Sequence, residues 1–427
     1  MVGNQTDIAR QAEPSAGNGM LNRRVFLEGA LIAGAVGAAP SGGNADPLSV
    51  PRWSTEPGSS FTPYGQPSHF EKDVVRTSPP PANPTTPGIG VARTPIAALD
   101  GIMTPSGLHF ERSHSGVPDI DPEQHRLIIH GLVKRPLEFT MEVLSRYPRV
   151  SRIAFVECAG NSGALNAPQP QPLNAQAIHG LLSCSEWSGV RLSTLLDEAG
   201  VEPAAKWVLA EGADASGMSR SIPIAKAMDD ALICLYQNGE KVRPSNGYPV
   251  RLLLPGFEGN MNVKWLRRLK LVESPVMTKD ETSKYTILLP SGKALQFVFP
   301  LEAKSMITHP SPGLTVRGPG LYEISGLAWS GYGKVAKVEV SADGGKSWGL
   351  AALQEPVLSK AVTRFRMAWQ WDGAPVVLQS RSTDETGYVQ PSRAQLIALR
   401  GDRGNFHNNM IQSWAVAGSG EVKNVYA

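Results

Sequence analysis

The stretch RIAFVECAGNSG, residues 152–163, brings an apolar run to a single cysteine, Cys158, and then straight into small and polar residues. Isoleucine, phenylalanine and valine ahead of the cysteine predict a strand. Ala-Gly-Asn-Ser-Gly after it predicts a loop at the strand's end. A thiol on such a loop has two chemistries open to it. As a thiolate it is a strong nucleophile, and it is a soft ligand for a transition metal. A cysteine nucleophile requires a histidine base; His114, His125, His130 and His179 are candidates, and no spacing singles one out. A buried, inert thiol is the plain alternative. The other cysteines, Cys184 and Cys234, make no Cys-x-x-Cys pair, so there is no zinc or iron–sulfur signature and no covalent haem motif in this chain.

The elements that must position Cys158 are legible in outline. A chain of 427 residues predicts two or three domains, each large enough for its own core. A formal net charge of +3 is too small for a nucleic-acid binder. With 43 glycines, 35 prolines and only 19% charged residues, the composition favours a loop-rich, strand-rich protein over helical bundles. HRLIIHGLV and YPVRLLLPG read as strands. VRLSTLLDEAGV reads as a short helix, with Leu192, Leu195, Leu196 and Ala199 on one face and Gly200 as its stop. No Gly-x-Gly-x-x-Gly phosphate loop occurs. These features make a mixed α+β domain over 105–295. From 300 to 420, KVEVS, the Asp343-Gly344-Gly345 turn, TRFRMAWQWDG and PVVLQSRSTDETG predict short strands with regular turns, a β-sandwich. Residues 41–104, with RTSPPPANPTTPGIG, read as an extended arm or linker. Residues 1–40 read as a twin-arginine export signal. Arg23-Arg24 precede Phe26 and an apolar run, Ala30–Ala39, of about ten residues, short for a bilayer core of about 30 Å. The expectation is a periplasmic protein that spans no membrane when mature.

VECAGNS resembles the metal-cysteine segment of the sulfite oxidase family of molybdopterin enzymes. Several further stretches resemble the family too. These are HFERSHSGVPDID, GADASGMSRSIP, NGYPVRLLLPG, NVKWLRRLKLVESP and SGLAWSGYGKVAKVEVSADGGKSW, and together they cover roughly residues 105–418. The resemblance implies a molybdopterin-binding domain followed by an immunoglobulin-like β-sandwich dimerisation domain, with one molybdenum–molybdopterin held through Cys158. It places Phe110, His114, Asp214, Asn246, Arg251 and Lys264 against the pterin. Arg251 and Lys264 suit its phosphate, since basic side chains pair with phosphate oxygens. Asn246 stands where many relatives have histidine. Arg112 matches a substrate-side arginine, and Tyr285, in KDETSKYT, an active-site tyrosine. Trp187 reads as core.

Departures from the family pattern narrow the expectation. Sulfite-oxidising members surround their small dianion with arginines, because a desolvated anion must be neutralised. This sequence has Ser162 and Gly163 at one such place and Gln412, in HNNMIQSW, near another. Small, uncharged residues at the rim imply a larger and less charged substrate. Within the family the chain resembles the molybdenum subunit of periplasmic sulfane dehydrogenase. That implies oxidation of sulfane sulfur on a sulfur-carrier protein, a c-type cytochrome subunit as electron acceptor, and a homodimer or two-plus-two heterotetramer. A periplasmic sulfite dehydrogenase with a cytochrome acceptor is the alternative. A nitrate-reducing relative and a non-catalytic scaffold stand behind it.

Overall fold

The computed structural model describes residues 14–21, 50–81, 86–402 and 406–427. Arg23, Arg24 and Ala30–Ala39, read above as an export signal, lie outside the described residues. Among the described residues no helix is long and apolar enough to cross a membrane.

Two five-stranded sheets build the first half of the chain. One runs in the order Ser219–Pro223, Trp207–Gly212, Leu266–Val272, Arg126–Gly131, Leu137–Thr140, with only Leu266–Val272 and Arg126–Gly131 parallel. The other joins Glu240–Lys241, Leu232–Gln237, Leu182–Arg191 and Arg149–Glu157, and Arg251–Leu253 adds to it beside Leu232–Gln237. The expected helix spans Leu192–Ala199. It buries Leu192, Leu195, Leu196 and Ala199 and ends at Gly200 in the left-handed region. Each fully buried leucine stabilises the packing by about 1.5–3 kcal/mol. These leucines share a core with Leu127, Leu252 and Leu269, from both sheets.

The second half is a sandwich. Lys304–His309, Gly320–Trp329 and Thr363–Trp371 form one sheet; Val335–Ser341, Val376–Asp384, Ser413–Val416 and Val422–Val425 form the other. The Asp343-Gly344-Gly345 turn joins Val335–Ser341 to its hairpin partner Gly349–Leu350, with both glycines at positive φ.

The Cys158 strand, Arg149–Glu157, is buried on both faces over its last four residues, Ala154 to Glu157. Phe155 packs into the sandwich core with Leu182 and Cys184. Ala154 and Val156 pack the other way, with Trp187 and Cys234. This two-sided burial explains why the run ahead of Cys158 is continuously apolar rather than alternating. Cys184 and Cys234 are buried free thiols.

Two features were not expected. The folded unit begins ahead of residue 105, because Gly90–Ala92 pairs with Glu111–Ser113 and Ala92, Thr94 and Ile96 are buried. Residues 14–21 form a small hairpin on the edge of Thr363–Trp371. Met20 is fully buried there, and Trp369 Nε1 donates to the Asn18 carbonyl at 3.0 Å. Gly19 sits at φ +86°, where a Cβ would lie 1.9 Å from the Gln370 carbonyl oxygen, so only glycine permits this approach.

Candidate active site

One cleft of about 690 Å³ gathers the nine residues that the family resemblance assigned to cofactor and catalysis: Cys158, Arg112, Tyr285, Phe110, His114, Asp214, Asn246, Arg251 and Lys264 all line it. They arrive from separate elements. Phe110 and Arg112 come from the Glu111–Ser113 strand and the residue before it, and Cys158 from the end of Arg149–Glu157. Asp214 comes from the loop after Trp207–Gly212, and Tyr285 from the segment after the helix Lys279–Thr282.

Cys158 is fixed by its own backbone. Its N–H donates to the Leu181 carbonyl at 3.0 Å, and its carbonyl accepts from Asn161 N–H at 2.8 Å. Gly259 lies against it; a Cβ there would stand 2.8 Å from the Glu157 carbonyl oxygen and 3.2 Å from Cys158 Cα. Burial pushes the thiol's pKa up, and Glu258 and Glu157 add to this while Arg112 opposes it. A thiol held protonated is a poor nucleophile by itself. His114, the one cleft-lining member of the four candidate bases, instead has its Nε2 3.3 Å from Tyr285 Oη.

At the Cys158 end, burial drives Tyr285 far above the ordinary phenol range, so it keeps its proton. Burial and nearby Arg112 push His114 down to about 4, so it is neutral. The Tyr285 ring lies over the Arg220 guanidinium, 4.8 Å to the centroid. Arg112 Nη1 donates to the Gly90 carbonyl at 3.1 Å.

Elsewhere in the cleft wall, Arg251 donates to the Asn246 carbonyl at 2.8 Å and the Asn262 carbonyl at 3.1 Å, and its guanidinium stacks on Trp187 at 4.6 Å. Burial lowers it to about 10. Lys264 Nζ donates to the Ser245 carbonyl at 2.9 Å and the Arg112 carbonyl at 3.2 Å, and burial lowers it to about 7. Asn246 Nδ2 donates to Gln237 Oε1 at 3.0 Å. Asp214 accepts from Ser115 Oγ at 3.3 Å, from Ser216 Oγ and from Met218 N–H at 3.4 Å, so it shapes its own loop. Trp187 is core, fully buried, with Nε1 on the Ala154 carbonyl.

The cleft wall holds buried polar atoms without a protein partner: His109 Nε2, Arg251 Nε and both amide atoms of Asn260. Leaving such groups unmade costs about 1–3 kcal/mol each, so the cleft is shaped for a polar ligand. His109 is neutral, lowered to about 3 by burial, and its Nδ1 donates to the Phe110 carbonyl at 2.9 Å. Its Nε2 is therefore an acceptor. Among the described residues no group of three or more His, Cys, Asp or Glu side chains could hold a metal. A ligand that brings its own metal donors and needs one protein sulfur fits this residue set.

The structure corrects one expectation. Ser162 and Gln412 do not form a rim, since neither they nor Gly163 line the cleft. The loop turns under itself at Ser162, φ +66°, and buries its side chain. Ser162 Oγ accepts from Lys304 Nζ at 2.7 Å and is 2.7 Å from His179 Nδ1, whose Nε2 is 3.3 Å from Gln412 Oε1. The two positions are thus the ends of one buried polar chain through His179.

Sequence reasoning also missed a charged network behind the loop. Arg220 pairs with Glu258 at 3.0 Å and Glu281 at 2.9 Å. Glu258 meets His407 Nε2 at 2.9 Å, and His407 N–H donates to the Ala159 carbonyl at 2.8 Å. HNNMIQSW and GMSRSIP contained His407 and Arg220; their partners are distant in sequence, so no local pattern flagged them.

Comparison with known proteins agrees with this geometry. Residues 114–279 match the oxidoreductase molybdopterin binding domain, and residues 296–414 the Mo-co oxidoreductase dimerisation domain. Human mitochondrial sulfite oxidase is 31% identical over 295 residues, 65% of this chain and 53% of that protein. NADH nitrate reductase of Cichorium intybus is 32% identical over 305 residues, 64% of this chain and 32% of that protein. The chain therefore spans about half or less of the length of these curated relatives. The crystal structure of the sulfane dehydrogenase SoxCD from Paracoccus pantotrophus superposes with a TM-score of 0.87 at 47% identity, covering 90% of this chain and all of that one. The chain belongs to the sulfite oxidase family of molybdopterin oxidoreductases, as a SoxC-type member.

Proposed function

We propose that the chain is the molybdenum subunit of a sulfane dehydrogenase. It acts in the periplasm on sulfane sulfur carried by a protein, oxidises it to a sulfonate, and passes the electrons to a c-type cytochrome. One observation carries the reading: Cys158 lines the same cleft as Arg251, Lys264 and several unpartnered buried polar atoms. The likeness to the Paracoccus sulfane dehydrogenase supports the substrate class. So does the burial of Ser162 and Gln412 in a polar chain away from the cleft, which leaves no arginine from either position facing the substrate.

Molybdopterin fits these residues. Cys158 Sγ would ligate the metal, and Arg251, Lys264 and Asn246 would hold the phosphate end, with Phe110, His114 and Asp214 along the pterin. When bound, the group supplies two-electron oxidation of sulfur with water as the oxygen source. The chain's own residues bind, orient and manage protons. A phosphate brought against Lys264 raises it from about 7, so binding fixes a proton on Nζ. Tyr285 Oη, kept protonated by burial, donates a hydrogen bond to a substrate or product oxygen. Arg112 provides fixed positive charge beside Cys158. Neutral His114 accepts from Tyr285 when no substrate does, which keeps the phenol oriented.

Sulfite dehydrogenase is the second reading, favoured by the similarity to sulfite oxidases. The deciding experiment measures kcat/KM of the purified holoenzyme, with ferricyanide as acceptor, for free sulfite and for carrier-bound sulfane sulfur. A preference for the carrier is expected. Efficient sulfite turnover without that preference replaces the first reading by the second. Loss of bound molybdenum in Cys158→Ser, with the fold retained, tests the metal ligand itself.

A further inference from the structure

Tyr285 lies between the helix Lys279–Thr282 and the short strand Ile287–Leu288 and belongs to neither. Its N–H donates to the Asp280 carbonyl at 3.2 Å. No regular element carries the ring, so what packs on it decides where the hydroxyl stands. Phe406 lies against it with 5.3 Å between centroids, and the Arg220 guanidinium faces it at 4.8 Å. The hydroxyl is 3.3 Å from His114 Nε2.

Arg220 is fully buried and does not line the cleft, so it touches neither substrate nor cofactor. It is itself held on three sides. Nε and Nη2 donate to the two carboxylate oxygens of Glu281 at 2.9 and 3.3 Å, and Nη1 donates to Glu258 Oε1 at 3.0 Å. Glu281 also accepts from Ser221 N–H at 2.7 Å. Glu258 meets His407 and is followed by Gly259, which lies against Cys158 Cα. One planar guanidinium thus joins the Tyr285 ring to the segment that packs on the metal-binding cysteine. Three buried charges gain little stability, since well-packed apolar side chains of the same volume do as well or better. They do fix a geometry, because a guanidinium meets carboxylates as a rigid fork and presents a flat face to a ring.

We propose that Arg220 is a positioning residue for the reaction: its guanidinium holds the Tyr285 ring so that the hydroxyl stands at a set place relative to Cys158. The inference rests on the molybdenum reading above, in which Tyr285 donates a hydrogen bond to a substrate or product oxygen. Such a donor acts only in the right place, and a displacement of about 1 Å costs up to about a hundredfold in rate. Lysine at this position keeps the buried cation but loses the fork and the flat face.

The test is a double-mutant cycle on purified holoenzyme: wild type, Arg220→Lys, Tyr285→Phe and the two together. Ferricyanide is the acceptor, carrier-bound sulfane sulfur and free sulfite are the substrates, and rates are taken per bound molybdenum. Arg220→Lys should lower kcat by about tenfold or more. In the Tyr285→Phe background the same substitution should change kcat by less than about twofold, because no hydroxyl is left to place. Equal factors in the two backgrounds are what a merely structural arginine gives, and they overturn the proposal; so does an unchanged kcat in Arg220→Lys. Glu281→Gln keeps an acceptor for Arg220 and removes the charge. It replaces Arg220→Lys in the cycle, with the same outcomes, where that variant fails to hold molybdenum. Crystal structures of the wild type and the variant give a readout without turnover. The contact from Tyr285 Oη to His114 Nε2 should open beyond about 3.5 Å, and an unmoved phenol overturns the proposal. Tyr285→Phe with wild-type kcat refutes the donor role of Tyr285 and the proposal with it. Wild-type holoenzyme that oxidises neither sulfur substrate refutes the molybdenum reading alone, and the crystal comparison then still decides whether Arg220 sets the phenol.

Discussion

Glu157 and Lys304 form a buried ion pair at 2.9 Å, which ties the residue before Cys158 to the first strand of the sandwich. Glu157 also accepts from Trp329 Nε1 at 2.7 Å and Asn161 Nδ2 at 2.9 Å. On the other side of the cysteine, Ala159 is held by the His407 backbone. The second domain therefore grips both neighbours of Cys158, and sandwich and cofactor cleft are coupled through three consecutive residues. Lys304→Met leaves the Glu157 carboxylate buried without its cation. Breaking such a pair costs about 3–5 kcal/mol, so denaturant unfolding should show a loss of that order, with reduced molybdenum content in what remains folded.

His407 makes this coupling depend on pH. Burial alone would lower its pKa, but hydrogen bonds and charge from Glu258 and Glu302 outweigh burial and hold it at about 9. Its unfolded value is about 6.5. Because the folded value is the higher one, the stabilisation is complete below about pH 6.5 and is lost as pH rises through about 9. The slope in that window reaches at most about 1.4 kcal/mol per pH unit for one proton. The Lys264 contribution runs the opposite way over part of this window, so the readout is the difference between wild type and His407→Gln. Chemical denaturation at intervals from pH 6 to 10 should show the variant less stable at pH 6.5 and the difference shrinking as pH rises to 9. A difference that stays constant from pH 6.5 to 9 would contradict the charged assignment.

Gly259 is required by contact rather than by φ. A methyl group there meets only backbone, the Glu157 carbonyl oxygen and Cys158 Cα. Neither can move without shifting the metal-binding cysteine. Gly259→Ala should destabilise by about 1–3 kcal/mol and lower molybdenum content together with thermal stability. A variant with full metal content and wild-type melting would mean that the loop has slack the packing does not show.

Much of this site was legible because its residues come in short stretches with strong local patterns. The strand before Cys158, the helix Leu192–Ala199 and the Asp343-Gly344-Gly345 hairpin follow from residue type and period alone. Convergence on one cleft was not legible from period; the family resemblance supplied it. What stayed hidden depends on long-range packing. Nothing near His407 announces Glu258 or Ala159, which are far away in sequence. Nothing near Ser162 announces the left-handed turn that buries it. The hairpin at residues 14–21 was hidden for the same reason, since Met20 finds its partner strand at Trp369.

Lys264 is expected to trade stability for binding. A lysine lowered to about 7 in the fold binds fewer protons than in the unfolded chain, whose value is about 10.4. Its cost to stability therefore grows as pH falls from about 10 to about 7. Lys264→Met, made in a host that supplies no molybdopterin, should melt higher than wild type at pH 7.5. In a cofactor-supplying host the same variant should retain about a tenth or less of the wild-type affinity, from loss of a charge-assisted bond worth about 1.5–3 kcal/mol. Equal cofactor content in both proteins would remove Lys264 from the binding set.

Ser162→Arg tests the corrected geometry most directly. A rim position would accept arginine and gain attraction for a small anion, with sulfite turnover rising. The buried position predicts the reverse. Ser162 has φ +66°, a conformation that costs a bulky residue roughly 1 kcal/mol or more. Its Oγ accepts from Lys304 Nζ at 2.7 Å and lies 2.7 Å from His179. An arginine there adds a second buried cation beside Lys304, opposite a histidine that burial and the Lys304 charge already keep neutral. The penalty should be several kcal/mol, seen as a large drop in melting temperature and loss of bound molybdenum, without new sulfite activity. Ser162→Ala keeps the volume small and removes only the hydroxyl, so it should cost about 1–3 kcal/mol and leave measurable turnover. A stable Ser162→Arg enzyme with increased kcat/KM for sulfite would show that the side chain reaches the cleft after all, and would favour the sulfite dehydrogenase reading.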